Sequence, residues 1–338
     1  MAVERGEPDD PVGERGRLRV LIAGGGIAGL EALLCLRELA GPLTEVELVS
    51  PDPDFHYRPL AVAGPFGLSE GSSLRLDQFA SEHGAAYRRD SLAEVDTRER
   101  FLLTGAGERL GYDALLLALG VSASRWLPGS LTYEGAGAND AFRGLLDGLE
   151  AGELGSLVFA VPPTVRWSLP LYELALLSAS HLAERGAPVS ELGVVSPEAR
   201  PLEMFGERAS GSVSALLAEA GVAFHANAAP SAIEGSDLVV AGGERIPADR
   251  VVSLPALEVA AIPGIPQAPH GFIGTDLHQR VEGTDHVFAA GDATWFPVKQ
   301  GGIAAQQADV AASAIAAMAD PDIPRAVFRP VLRGVLLT

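Results

Sequence analysis

The sequence predicts an α/β chain of two three-layer ββα units, the second inserted in the first. Three observations predict it. Short, continuous, β-branched runs of the kind that form strands buried on both faces recur along the chain. A strand, turn, helix and strand follow one another from Arg17 and again from Ser156. A further strand, turn and helix from Asp285 to Met318 then returns the chain to the first unit. The expected bounds are a tail over 1–16, a discontinuous first domain over 17–123 and 271–338, and an inserted domain over 124–270.

Length and composition agree with two folded domains. A chain of 338 residues exceeds one ordinary core. With 47 % hydrophobic residues, 39 Gly and 24 Pro it reads as a folded, turn-rich globule. A net charge of −19 repels nucleic-acid phosphates and anionic headgroups, so neither is expected as a general partner, although a local basic patch is compatible with it. The first residues are charged, hold Pro and Gly, and lack an apolar signal-peptide core, so the tail is expected to be disordered. No run approaches the ~18 to 20 apolar residues of a membrane span. The expectation is a cytoplasmic protein, with peripheral membrane contact left open. Cys35 is the single cysteine, which rules out an intrachain disulfide, a Cys-x-x-Cys pair and a multi-thiolate site, and it is expected to be buried on a helix. The 7 histidines are scattered without ligand spacing, so no metal is expected.

In chain order, Arg17 to Ala23 is a buried strand that runs straight into Gly24-Gly25-Gly26-Ile27-Ala28-Gly29 and a helix to about Leu39. Glycines at the first, third and sixth positions between strand and helix allow a tight turn, a close backbone approach to a pyrophosphate and close helix packing. This is the turn of a Rossmann-like, dinucleotide-binding unit. Glu45 to Val49 completes it, and an acidic residue about 20 residues after the glycines ordinarily meets the ribose hydroxyls. Here the strand ends in Ser50 with Asp52 beyond; either is a ribose partner, or Ser50 to Pro53 is only a turn. Phe55 to Leu60 is an aromatic and basic loop that either reaches the cofactor or anchors itself on the core. Ala86 to Arg109 reads as a small antiparallel insertion of short strands, and Tyr112 to Gly120 as one more buried strand.

The second unit has strands at Ser156 to Val161 and Glu191 to Ser196 around a helix from Leu169 to about Arg185. Its turn, Pro162 to Pro170, contains no glycine, and side chains there obstruct the approach of a nicotinamide dinucleotide. A helix over 207–220, a strand over 222–226, a strand-turn-strand over 233–246, a strand over 249–255 and a Pro-rich crossover over 263–269 follow. In the third strand-turn-helix, Val287 to Ala290 delivers Asp292 onto a turn preceded by Gly291, and Gly301-Gly302 opens an Ala-rich helix. A carboxylate and a helix N-terminus so placed suit a diphosphate cofactor with a polyol linker.

These landmarks in this order resemble the two-dinucleotide-fold flavoproteins of the pyridine nucleotide-disulfide oxidoreductase superfamily, over about residues 17 to 338. The Pro297-Val298-Lys299-Gln300-Gly301-Gly302 stretch and the Pro-rich second turn look closest to the branch of sulfide:quinone oxidoreductases, flavocytochrome c sulfide dehydrogenases and type II NADH dehydrogenases. The resemblance implies FAD, with Gly24, Gly26 and Gly29 at its pyrophosphate and Leu92 near the adenine. It implies Asp292 at the ribityl chain and Gln300, Gly301, Gly302 and Ile303 at the flavin pyrimidine edge. Ile27, Ala28, Ser50, Asp52, Arg58, Ala118, Gly120 and Gly291 complete the expected cofactor set.

Departures narrow the chemistry. Sulfide oxidation in the relatives uses a cysteine pair, one member of it in the second turn, where this chain has Trp167-Ser168 and no second thiol anywhere. The second glycine fingerprint of the NADH dehydrogenases is replaced as well. Family members also continue beyond the strand-like run Leu332 to Thr338, into a region used for dimerisation, quinone access or membrane contact. The expected activity is FAD-dependent electron transfer from a small donor to a quinone-like or other acceptor, without cysteine persulfides. Two alternatives stand beside it: an NAD(P)H-dependent flavin reductase with atypical nicotinamide binding, and a binding or regulatory module with little turnover. Trp167, Tyr172, Glu173 and Lys299 are the candidates for donor chemistry; donor, acceptor and oligomeric state are not legible.

Overall fold

The computed structural model describes residues 16–69, 71–187 and 191–338, so the expected tail falls almost wholly outside the described residues. The principal elements in chain order are β1 (Leu18–Ala23), α1 (Ile27–Ala40), β2 (Thr44–Val49), α2 (Leu76–Glu82), β3 (Ala86–Arg88), β4 (Ala114–Leu117), β5 (Leu131–Thr132), α3 (Asn139–Glu150), β6 (Ser156–Ala160), α4 (Leu169–Glu184), β7 (Glu191–Val195), α5 (Glu207–Glu219), β8 (Val222–His225), β9 (Arg250–Ser253), β10 (Val287–Ala289) and α6 (Gly301–Ala319).

They form two five-stranded sheets, every neighbouring pair parallel, in the orders β10-β4-β1-β2-β3 and β5-β9-β6-β7-β8. Alternation of side chains across the pleat makes each sheet the middle layer of three. In the first, Val20, Ile22, Leu116 and Phe288 face α1 and α6, while Leu21, Ala23, Leu115, Leu117 and Val287 face a three-stranded antiparallel sheet over Leu92–Asp96, Phe101–Thr104 and Arg109–Gly111. The second repeats the plan. Leu157, Phe159, Val194 and Val252 face α3, α4 and α5, and Val158, Ala160, Val195 and Val251 face an antiparallel sheet over Pro230–Glu234, Asp237–Val240 and Arg245–Pro247. A strand buried on both faces must be apolar throughout, which is why these runs read so clearly.

The structure corrects several expectations. Ala86–Arg88 does not join the antiparallel insertion; it extends the main sheet by pairing parallel with β2. A three-residue strand carries no periodicity, so only its partner decides its direction. The second antiparallel sheet has a third strand, Pro230–Glu234, beyond the expected pair. Helices α2 and α3 were not anticipated, although Phe142, Leu146 and Leu149 of α3 recur at helical spacing and are buried. The chain leaves and re-enters the first unit through an antiparallel ribbon, Ser122–Ser124 with Ala256–Glu258. Val259, Ile262 and Ile265 already pack in the first unit's core, so the return lies well before residue 270. Leu332 to Thr338 joins no sheet; the Arg333 carbonyl and the Leu337 amide bond to side chains instead. Cys35 is half-buried rather than buried, and burial pushes its thiol up to about 12.

Candidate functional site

The turn after β1 is shaped by contacts that only glycine tolerates. Gly24 has φ +121°, and a Cβ there would strike the Ala118 carbonyl at the end of β4; a Cβ on Gly29 would strike the Gly24 carbonyl. Gly26 differs, because nothing lies within 4 Å of a Cβ at that position. It is also the N-cap of α1, with no side-chain cap and no acid in the first turn, so the unpaired helix amides face open space. Such a helix start is an anion cradle. Ser50 is buried beneath it, its Oγ close against Gly25 and its amide donating to the Arg88 carbonyl at 3.0 Å. Asp52 is exposed on the neighbouring turn, where its carbonyl accepts from the Tyr87 hydroxyl at 2.8 Å. Gly120, with φ +71°, again borders open space, just past the end of β4.

The second turn of the site, after β10, meets the first. A Cβ on Gly291 would lie 3.1 Å from that of Ala28, and one on Gly301 would lie 2.7 Å from Ile27 Cδ1, so the starts of α1 and α6 converge. Gln307 holds the turn from inside: its Oε1 accepts from the Gly291 amide at 2.8 Å and its Nε2 donates to Thr294 Oγ1 at 3.0 Å. A buried Gln in an Ala-rich helix was the available signal for this pin, and sequence reasoning passed over it.

Asp292 stands on that turn. Burial pushes its carboxyl up from the ordinary range, against the opposing pull of the nearby Lys299 and Arg58 cations. Lys299 donates to the carbonyls of Thr294 at 2.6 Å and Phe296 at 2.7 Å, and its ammonium lies 4.1 Å from the centre of the Phe272 ring. Burial lowers it to about 8, with Asp292 working the other way. Gln300 caps α6, its Oε1 accepting from the Ile303 amide at 2.9 Å. The Ile303 amide is thus met inside the protein.

The remaining candidates separate. Gly24, Gly26, Ile27, Ala28, Gly29, Ala118, Gly291, Asp292, Arg58, Lys299 and Gly301 come together around the two turns. Leu92 opens a strand paired with Phe101–Thr104 and packs on the core beneath β1, β4 and β10. In the loop after Ser50, Phe55 packs on the first core while Tyr57 is 44 % exposed, so only one of its aromatics anchors it.

In the second unit the equivalent turn is closed. Glu198, just beyond β7, accepts through Oε2 from Tyr172 at 2.8 Å, Ser196 at 3.0 Å and Ser168 at 3.2 Å. Tyr172 is fully buried and its hydroxyl is committed to this carboxylate, so it has no free face toward a substrate. Trp167 is half-buried and stacks obliquely on Phe205, ring centres 5.8 Å apart. Glu173 is buried with no cation beside it among the described residues; its Oε1 accepts from the Leu337 amide at 3.1 Å, and burial pushes its carboxyl up to about 7. Among the described residues no group of three His, Cys, Asp or Glu side chains is arranged to hold a metal, and no helix is long and apolar enough to cross a membrane.

Residues 174–317 match the family model described as pyridine nucleotide-disulphide oxidoreductase. That stretch, from α4 to α6, is what carries the likeness to the family. Among solved structures, the sulfide:quinone oxidoreductase of the hyperthermophilic bacterium Aquifex aeolicus matches with a TM-score of 0.82 at 21 % identity, over 91 % of this chain and 78 % of that one. The NAD-dependent persulfide reductase of A. fulgidus matches with a TM-score of 0.68 at 20 % identity, over 94 % and 61 %. The NDH2 of Plasmodium falciparum in complex with NADH matches with a TM-score of 0.65 at 15 % identity, over 82 % and 65 %. At these identities the solved structures speak for the fold.

Proposed function

We propose that this chain is an FAD-dependent oxidoreductase that carries two electrons from a small donor to a quinone-like or other acceptor, with neither cysteine persulfides nor NAD(P)H as its ordinary route. One contrast supports this reading. The first unit's turn is open at Gly26 with free helix amides, whereas the second unit's turn is glycine-free and tied shut on Glu198.

The residues of the first unit suit FAD. The α1 start offers N–H groups to a pyrophosphate, and among the described residues nothing lies within 4 Å of a Cβ at Gly26. Asp292 is a carboxylate whose charge burial disfavours, so it gains from accepting a hydroxyl hydrogen bond along the ribityl chain. When bound, the isoalloxazine supplies the two-electron chemistry. Lys299 and the Gly301 and Gly302 amides would hold the pyrimidine side of a flavin seated here and would supply positive charge and N–H donors where reduction gathers negative charge. Arg58, close enough to Asp292 to act on its charge, adds to this field. Cys35, the only thiol, sits on α1 with its thiolate strongly disfavoured.

An anaerobic titration of the purified chain, followed at the flavin absorbance bands, tests the reading. A quinol is expected to bleach the flavin, by reversal of the acceptor step, and sulfide, NADH and NADPH to leave it oxidised. Rapid bleaching by NADH refutes the donor assignment in favour of the reductase reading, and absence of bleaching by every donor favours a binding module. Colourless protein that fails to take up FAD removes the cofactor from the account.

A further inference from the structure

The stretch 328–337 crosses from one unit to the other. It leaves the first at Phe328, whose amide donates to the Leu277 carbonyl at 2.9 Å and whose ring meets Phe296 edge-on with centres 5.4 Å apart. Gln306 then grips both backbone groups of Val331, its Oε1 accepting from the amide at 2.8 Å and its Nε2 donating to the carbonyl at 3.0 Å. Gln300 Nε2 donates to the Arg333 carbonyl at 3.4 Å. Both glutamines belong to the start of α6.

The stretch lands on the second unit at Gly334. A Cβ there would lie 3.1 Å from the Phe205 ring and 3.3 Å from that of Trp167, so the backbone lies flat against the two aromatics. Leu336 and Leu337 pack on the second unit's core, and the Leu337 amide reaches Glu173 on α4. The starts of α6 and α4 follow the carboxyl ends of β10 and β6, the edge on which open parallel sheets take their ligands. A segment that touches both starts spans from one carboxyl edge to the other.

We propose that residues 328–337 form a strap that covers a ligand crevice between these two edges and lifts to admit a donor or acceptor, with Gln306 its latch on the first unit and Glu173 its latch on the second. The way it is held suits such a role. No strand ladder secures it, its directional bonds are few, and its outer face is wet, with Val331 55 % and Val335 78 % exposed. Segments fixed by few contacts open far below the free energy of global unfolding. Only the identity of what the crevice admits rests on the flavoprotein reading.

The test compares the full chain with Gln306→Ala, which removes the first latch, and Gly334→Val, whose side chain pushes the strap off Trp167 and Phe205. Amide exchange is measured first, on protein stripped of flavin. The Val331 and Leu337 amides are expected to exchange at least tenfold faster in both variants, with the β1 and β6 amides unchanged. Reoxidation of dithionite-reduced flavin by a short-chain ubiquinone analogue is measured second and is expected to quicken at least threefold. Strap amides that exchange equally fast in all three proteins overturn the proposal, and so does faster exchange without faster reoxidation. A chain that holds no flavin refutes the cofactor reading and leaves the exchange result to decide the strap.

Discussion

Glu173→Gln is the substitution whose consequence follows most directly from the structure. The side chain is 5 % exposed, meets one backbone amide and no cation, and burial raises its carboxyl from 4.5 to about 7. Between those values the folded chain binds a proton that the unfolded chain has released. Stability therefore falls as pH rises: the contribution is fully present below about pH 4.5 and is lost as pH climbs through about 7. At about 1.4 kcal/mol for each tenfold change, the difference between pH 5 and pH 8 comes to roughly 2–3 kcal/mol. Gln keeps the shape and still accepts from the Leu337 amide, but it does not titrate. Urea unfolding at pH 5, 6, 7 and 8 should show the variant gaining on the wild type by that amount, most of it between pH 5 and 7. Against the cost of burial, hydrogen bonds from Arg19 and Arg280 hold Asp113 and Asp276 low, so their loss of stability lies at more acid pH, outside this window. Parallel stability curves for the two proteins would refute the argument, since they would mean that Glu173 is ionised in the fold at no cost.

Two further predictions address the cofactor site. Gly24→Ala must displace the Ala118 carbonyl from a left-handed backbone position and should cost roughly 2 kcal/mol or more in folding, whereas Gly26→Ala meets no atom and should melt like the wild type. If the open space at Gly26 is the pyrophosphate seat, Gly26→Ala nonetheless loses at least tenfold in FAD affinity by fluorescence titration; unaltered affinity places the diphosphate elsewhere. Lys299 loses its charge as pH rises through about 8, so the ease of reducing the flavin should decline there, and Lys299→Met should abolish that inflection in a spectroelectrochemical titration; a profile that keeps it shows the titrating group to be another.

Much of the fold is local in origin and therefore legible. Ile22, Leu116, Phe159 and Val252 belong to runs that are apolar because both faces of their strands are covered, and such runs announce themselves without knowledge of the partner. The turn at Gly24 is equally legible, since a strand that must reverse into a helix over a few residues leaves no room for a Cβ. The same holds for Asp292, set on a turn by Gly291 at φ +83°.

What depends on distant partners was not legible. Ala86–Arg88 takes its direction from β2, and the Gln307 pin acquires meaning only when Gly291 and Thr294 stand beside it. The second turn shows the division most clearly. Its missing glycines are visible in the sequence, but the carboxylate that closes it, Glu198, lies on a different loop and is brought to Ser168 and Tyr172 by the parallel pairing of β6 with β7. The sequence by itself determined two ββα units, a phosphate-type turn in the first and the absence of one in the second, because these rest on short-range sterics and burial patterns. Tertiary structure alone decided that Lys299 is held below its usual range beside Asp292, that Glu173 is buried with no cation beside it among the described residues, and that residues 328–337 run from α6 to α4, because charge, burial and contact at these positions are set by chain segments far apart in sequence.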